Sequence, residues 1–212
     1  MYQLIIRNAQ IANPDGSSFE SDLACNQGRI EKIAPEISTD AVEQIDAEGQ
    51  LLLPGVIDPQ VHFREPGGDE RENLASGSRA AVRGGVTSFL EMPNCKPPTT
   101  DQEQLSWKID RASKTSVANF GFFIGATSGN LRSLNDAQPA CGIKIFMGSS
   151  TGDLLVDDEK HLDQIFGNGN RLIAVHAEDE TRIQDRTKSL LDGNENPDYS
   201  IHSIIRDPQT AL

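Results

Sequence analysis

The chemistry-bearing residues of this chain stand at the ends of apolar runs. In Leu51–Gly67, LLLPGVIDPQVHFREPG, an apolar run reads as a buried strand and leads into His62, Arg64 and Glu65 before a Pro-Gly turn. Alternate residues of a strand share a face, so Asp58, Gln60, His62 and, if the strand continues, Arg64 are expected to point the same way. A His-x-His pair in that place would bind a metal ion, but Gln60 occupies its first position. A second polar group, Glu91-Met92-Pro93-Asn94, follows another apolar run. A third is Lys144, inside the otherwise apolar GIKIFMGSS segment. The fourth is His176, which ends Ile173–Val175 and precedes Glu178 and Asp179. Each has a plain structural alternative. A strand histidine can be a satisfied core residue, a buried lysine can pair with a carboxylate or snorkel, and an asparagine after proline is commonly a turn residue. Four polar groups at C-terminal strand ends read together as a site, because barrel enzymes build theirs there.

The elements that must carry these residues change character near Leu52. Before it come the short alternating runs Gln3–Ile6, Gln10–Ala12, Phe19–Cys25, Arg29–Ile33 and Glu43–Asp46. Asn13-Pro14-Asp15-Gly16 and Asn26-Gln27-Gly28 punctuate them, as turn residues do. Residues 1–52 are therefore expected to form a small β-sandwich-like domain or part of one. From residue 53 to 212 strands and helices alternate. The predicted strands are Leu51–Ile57, Thr87–Glu91, Ala118–Ile124, Cys141–Phe146 and Arg171–His176. Predicted helices lie between them, over Asn73–Arg83, Gln102–Lys114, Asn130–Ala137 and Asp157–Phe166. Such alternation implies α/β architecture with a parallel sheet. Five strands fit either a doubly wound sheet or the first units of a (β/α)8 barrel, which takes about 250 residues. The chain stops at Gln209-Thr210-Ala211-Leu212, inside an apparent helix start, and this favours a barrel whose remaining strands lie beyond Leu212.

Composition narrows the function classes. A net charge of −13 and a pI near 4.6 argue against nucleic acid or an anionic membrane as the main partner. The three cysteines, Cys25, Cys95 and Cys141, include no CxxC pair and fit a reducing compartment. No apolar run approaches the ~20 residues of a membrane helix, and no secretory signal segment is visible. A cytoplasmic location is expected.

Asp58–Gly67, DPQVHFREPG, resembles the dihydroorotase signature of the amidohydrolase superfamily. Glu91–Asn94, EMPN, is similar to that family's second signature, and Gly84–Thr87, Lys144 and His176 fall in matching order. The resemblance implies a metal-dependent hydrolase (β/α)8 barrel, here about its first five units, with a small N-terminal β domain. It implies a zinc enzyme with one or two ions that reversibly cyclises N-carbamoyl-L-aspartate to L-dihydroorotate, a step of pyrimidine synthesis. It also implies a homo-oligomer, most simply a dimer. By position, His62 resembles a ligand of the more buried metal, Lys144 a carboxylated lysine bridging two metals, and His176 a ligand of the second. An unmodified ammonium has no lone pair for a metal, so Lys144 requires that modification. Arg64 and Asn94 resemble the pair that holds the substrate carboxylate, and a guanidinium fork suits that task.

Two departures from the family pattern stand out. Gln60 replaces the usual first histidine and is a weaker zinc ligand than imidazole, so it puts the metal count in question. The expected strand-six histidine and the strand-eight aspartate, the general base, would fall beyond Leu212, which leaves no catalytic base in this chain. His161 and His202 are expected on a solvated helix face and in a loop. Alternatives are a hydantoinase or allantoinase, whose rings lack the carboxylate that Arg64 and Asn94 would clamp, and an inactive dihydroorotase-like subunit or scaffold, which Gln60 would suit.

Overall fold

Alternating apolar residues give the N-terminal unit, Met1–Gly55, its strands. They are β1 (Tyr2–Ala12), β2 (Ser18–Asn26), β3 (Arg29–Ala34), β4 (Ala41–Asp46) and β5 (Leu51–Leu52). The computed structural model describes residues 1–148, 154–167, 170–193 and 196–211; Ser149, Ser150 and Leu212 lie outside the described residues. The sheet runs β3-β2-β1-β4, with β5 also on β1. β2 is antiparallel to β1 and β3, whereas β4 and β5 run parallel to β1. The two runs predicted over Gln3–Ile6 and Gln10–Ala12 are one strand. A register slip between Ile6 and Ala9 interrupts its alternation, and Asn8 there has φ 53°, as in a β-bulge. Buried Asp22 accepts from Arg7 Nη1 at 3.0 Å and from the N–H groups of Asn8 and Ile37.

The second unit begins at Val56. Its strands are β6 (Val56–Val61), β7 (Val86–Glu91), β8 (Asn119–Gly125), β9 (Gly142–Phe146) and β10 (Ile173–His176). Helices α1 (Leu74–Arg83), α2 (Gln102–Thr115), α3 (Leu131–Asp136) and α4 (Glu159–Gly167) fall between them, and α5 (Glu180–Leu191) and α6 (Ile201–Ile205) follow. Among the described residues the sheet has five strands in the sequential order β6-β7-β8-β9-β10, every pair parallel. A doubly wound sheet reverses its order at a switch point; this one does not. The architecture is that of a partial (β/α) barrel in one unit and a small β domain in the other.

Three expectations need correction. The strand predicted over Leu51–Ile57 is split. Leu51–Leu52 pair with β1 in the N-terminal unit, and β6 starts at Val56. Pro54, which has no N–H to donate to a ladder, lies between the two pieces. His202 belongs to α6 rather than a loop, its ring stacked on Tyr199 at 5.9 Å. The helix start expected at residues 209–212 is a 3-10 turn over Pro208–Ala211.

Side-chain caps set the helix starts. Asn73 and Ser76 form a reciprocal capping box on α1, and Asp101 accepts from Gln104 N–H on α2. Such caps satisfy donors that the first turn leaves unpaired. The core joins Phe63, Leu74, Phe89, Leu105, Phe122 and Ile143 between sheet and helices. Gly77, inside α1, is needed for this packing, since a Cβ there would lie 2.6 Å from Phe63 Cδ1. Gly77→Ala is therefore expected to destabilise the protein by about 1–3 kcal/mol through overpacking, although alanine is intrinsically the better helix former by about 1 kcal/mol. Urea denaturation would measure the change, and a stabilised variant would show that the Phe63 ring can retreat.

Candidate active site

Three of the polar groups singled out in the sequence stand at or just beyond the C-terminal ends of β6, β7 and β10, but Lys144, expected at a strand end, sits in the middle of β9. On β6 strict alternation does not hold. The pairing with β7 moves from Asp58–Phe89 to Val61–Glu91, so β6 uses one residue more than its partner. Asp58 and His62 therefore do not fall in one uninterrupted row. Asp58 instead accepts the N–H of Gln60 at 3.0 Å, and Gln60 is exposed.

His62 Nδ1 lies 2.7 Å from Asn94 Oδ1, across the ends of β6 and β7. An amide oxygen only accepts, so Nδ1 carries the hydrogen and Nε2 of the neutral ring keeps its lone pair. Burial lowers the His62 pKa, the Asn94 bond opposes that shift, and the cationic Arg64 and Lys144 add to the lowering. The ring is thus held neutral, as a metal ligand must be. Because Asn94 turns its oxygen to His62, its NH2 is left to donate elsewhere. Arg64 has φ 64°, a left-handed conformation that costs a residue with a side chain about 1–2 kcal/mol. Arg64 and Asn94 line one cleft of about 230 Å³, together with Gly67, Gly68, Arg71 and Lys96.

Lys144 and His176 come from neighbouring strands. The register pairs Lys144 with Ala174 and Phe146 with His176, so Lys144 and His176 share a sheet face. Lys144 is 2% exposed. Its Nζ lies 5.1 Å from the Phe146 ring centroid. Burial pushes its pKa below the usual lysine range. Among the described residues no carboxylate forms an ion pair with it. His176 Nε2 lies 2.6 Å from Glu178 Oε2, and Arg206 in turn holds both Glu178 oxygens. With Nε2–H donating to the carboxylate, Nδ1 is the ring nitrogen whose lone pair could face a metal.

The Dihydro-orotase-like family model matches residues 49–134. The chain is 37% identical over 214 aligned positions to the dihydroorotase of Methanosarcina mazei, covering 97% of this chain and 45% of that protein. The chain belongs to the dihydroorotase-like amidohydrolases. It is also 42% identical over 143 positions to the allantoinase of Desulfitobacterium hafniense, 67% of this chain and 31% of that one. L-hydantoinase (dihydropyrimidinase) from Arthrobacter aurescens has the same fold, with a TM-score of 0.91 and 27% identity over 100% of this chain and 48% of its own. The chain thus spans less than half the length of these relatives.

As a dihydroorotase-like chain, this one offers a limited donor set for a metal. Among the described residues no group of three or more His, Cys, Asp or Glu side chains could hold an ion. Two imidazoles with fixed second nitrogens and a buried, carboxylate-free lysine are present. They fit a metal only if Lys144 becomes an anionic ligand. Sequence reasoning named Glu65 and Glu91 but missed their bracing role and their partners on α2. Glu65 and Glu91 are 2% and 1% exposed and bind Arg111 and Lys108. Burial raises the Glu91 pKa, and Lys108 works against it. Arg71 and Lys96 on the cleft wall were also missed. The glycine pair Gly67–Gly68 inside the REPGG turn was the available signal for a close backbone approach there.

Proposed function

We propose that the full-length protein is a dihydroorotase, interconverting N-carbamoyl-L-aspartate and L-dihydroorotate. The supporting observation is the cleft that Arg64 and Asn94 both line. Its guanidinium fork and amide NH2 suit a carboxylate, which dihydroorotate carries and hydantoin or allantoin lacks. His62, His176 and Lys144 would hold one or two zinc ions. Depressed basicity favours the neutral amine of Lys144, which adds carbon dioxide to give an N-carboxylate and releases one proton. A bound ion would supply an activated water and polarise the amide carbonyl. Asn94 fixes the His62 tautomer while donating to substrate, and Glu178 orients His176. Gln60 stands exposed and supplies at most a weak oxygen ligand.

Assaying the full-length protein with L-dihydroorotate, allantoin and hydantoin separates the readings. The highest kcat/KM is expected for L-dihydroorotate. Arg64→Met is expected to raise its KM about 10–100-fold, the worth of a charge-assisted contact. An unchanged KM would remove Arg64 from the clamp. A preference for allantoin would favour the second reading, an allantoinase, which the 42% identity to such an enzyme supports. No bound metal and no turnover would instead indicate an inactive subunit.

A further inference from the structure

Arg64 holds a left-handed backbone, φ 64°, which residues with a Cβ rarely adopt. Both of its neighbours are clamped. The Phe63 N–H donates to Glu91 Oε1 at 3.2 Å, and its ring packs edge-on against Phe89 at 4.8 Å. Glu65 accepts the Leu74 N–H at 2.8 Å through Oε2 and Arg111 Nε at 2.5 Å through Oε1. The second oxygen of Glu91 takes Lys108 Nζ at 2.7 Å. Lys108 and Arg111 are three residues apart on α2 and so share a helix face. Neither carboxylate lines the cleft beside Arg64, and neither cation does.

We propose that α2 positions Arg64 through two buried ion pairs, Lys108–Glu91 and Arg111–Glu65, which fix the backbone on either side of it. This rests on the reading of Arg64 as a substrate-carboxylate clamp. The four charged residues touch no substrate; they are positioning residues. They hold the strained residue 64 in place, so that its guanidinium is already presented to the cleft and little ordering is left for the substrate to impose. The arrangement explains why two carboxylates are buried beside an anion-binding cleft. Each is neutralised by α2; Glu91 anchors the N–H of Phe63, next to Arg64, and Glu65 ties its own segment to the Leu74 N–H at the start of α1.

The test uses the full-length protein. Arg111 is 44% exposed and Glu65 2%, so Arg111→Met removes one anchor but leaves the Glu65 carboxylate unpaired, and its folding stability is measured alongside. It is expected to raise KM for L-dihydroorotate about tenfold while changing kcat less than about threefold, the signature of lost binding alone. Arg111→Lys should recover most of the loss. In an Arg64→Met background, Arg111→Met should add nothing further. An equal rise in KM with or without Arg64, or a loss confined to kcat, would overturn the proposal. Should Arg64→Met itself leave KM unchanged, the clamp reading fails, and a crystal structure of Arg111→Met decides the positioning claim alone. Residue 64 leaving the left-handed region supports the claim, and an unchanged φ defeats it. If Arg111→Met does not fold, Glu65→Gln/Arg111→Met, which leaves neither charge of that pair, is judged by the same criteria.

Discussion

Lys144→Met in the full-length protein is expected to lower turnover by about 10³-fold or more, since several kcal/mol of metal-supplied transition-state stabilisation would go with the ligand. Its folding stability should hold or rise by about 1 kcal/mol, because methionine fills a similar volume and removes a desolvated amine. Lys144 is 2% exposed and has no carboxylate partner among the described residues. A lysine so placed contributes little to folding. Lys144→Arg should be as inactive as the methionine variant, because a guanidinium does not take up carbon dioxide. Turnover, metal content and the urea midpoint would be measured on the same samples. Retained turnover in Lys144→Met would take Lys144 out of the site.

The other fully buried lysine should behave in the opposite way. Lys108 and Glu91 are each 1% exposed and 2.7 Å apart, so Lys108→Met leaves Glu91 as an uncompensated buried charge. Breaking a buried pair from one side costs about 3–5 kcal/mol. Replacing both partners, in Glu91→Gln/Lys108→Met, should recover much of that loss, since Gln still offers an oxygen to the Phe63 N–H and no net charge stays buried. Denaturation of the two variants side by side is the measurement. If Lys108→Met alone is as stable as the parent, the pair is not what holds this end of β7.

Much of the barrel unit was legible because each strand is an apolar run broken by a polar residue at its end. His62, Asn94 and His176 were located that way, and the structure places them at or just beyond the ends of β6, β7 and β10, whereas Lys144, found as a lysine inside an apolar run, sits in the middle of β9. The close approach of His62 to Asn94 spans 32 residues and followed only from assuming that β6 and β7 are neighbours. The braces were not legible. Lys108 and Arg111 lie in a helix rich in charge, QEQLSWKIDRASKT, where every charge reads as solvated. Their partners are 17 and 46 residues away, and no local pattern links them. The irregularity between Asp58 and Val61 was equally hidden, because a period-two reading cannot register an extra residue. Helix α5 went unnoticed because Ile183 is the one residue that it buries among those described.

The sequential strand order also bears on how the site comes into being during synthesis. Among the described residues each of β7 to β10 pairs with the strand made just before it. The first βαβ unit, from Val56 to Asn94, already contains His62, Arg64 and Asn94. Once α2 has left the ribosome, Lys108 and Arg111 can lock that corner. Lys144 and His176 join afterwards, on β9 and β10. The corner proposed to bind the substrate carboxylate, with His62 in it, can thus form on the nascent chain before Lys144 and His176, the other two proposed metal ligands, have been translated.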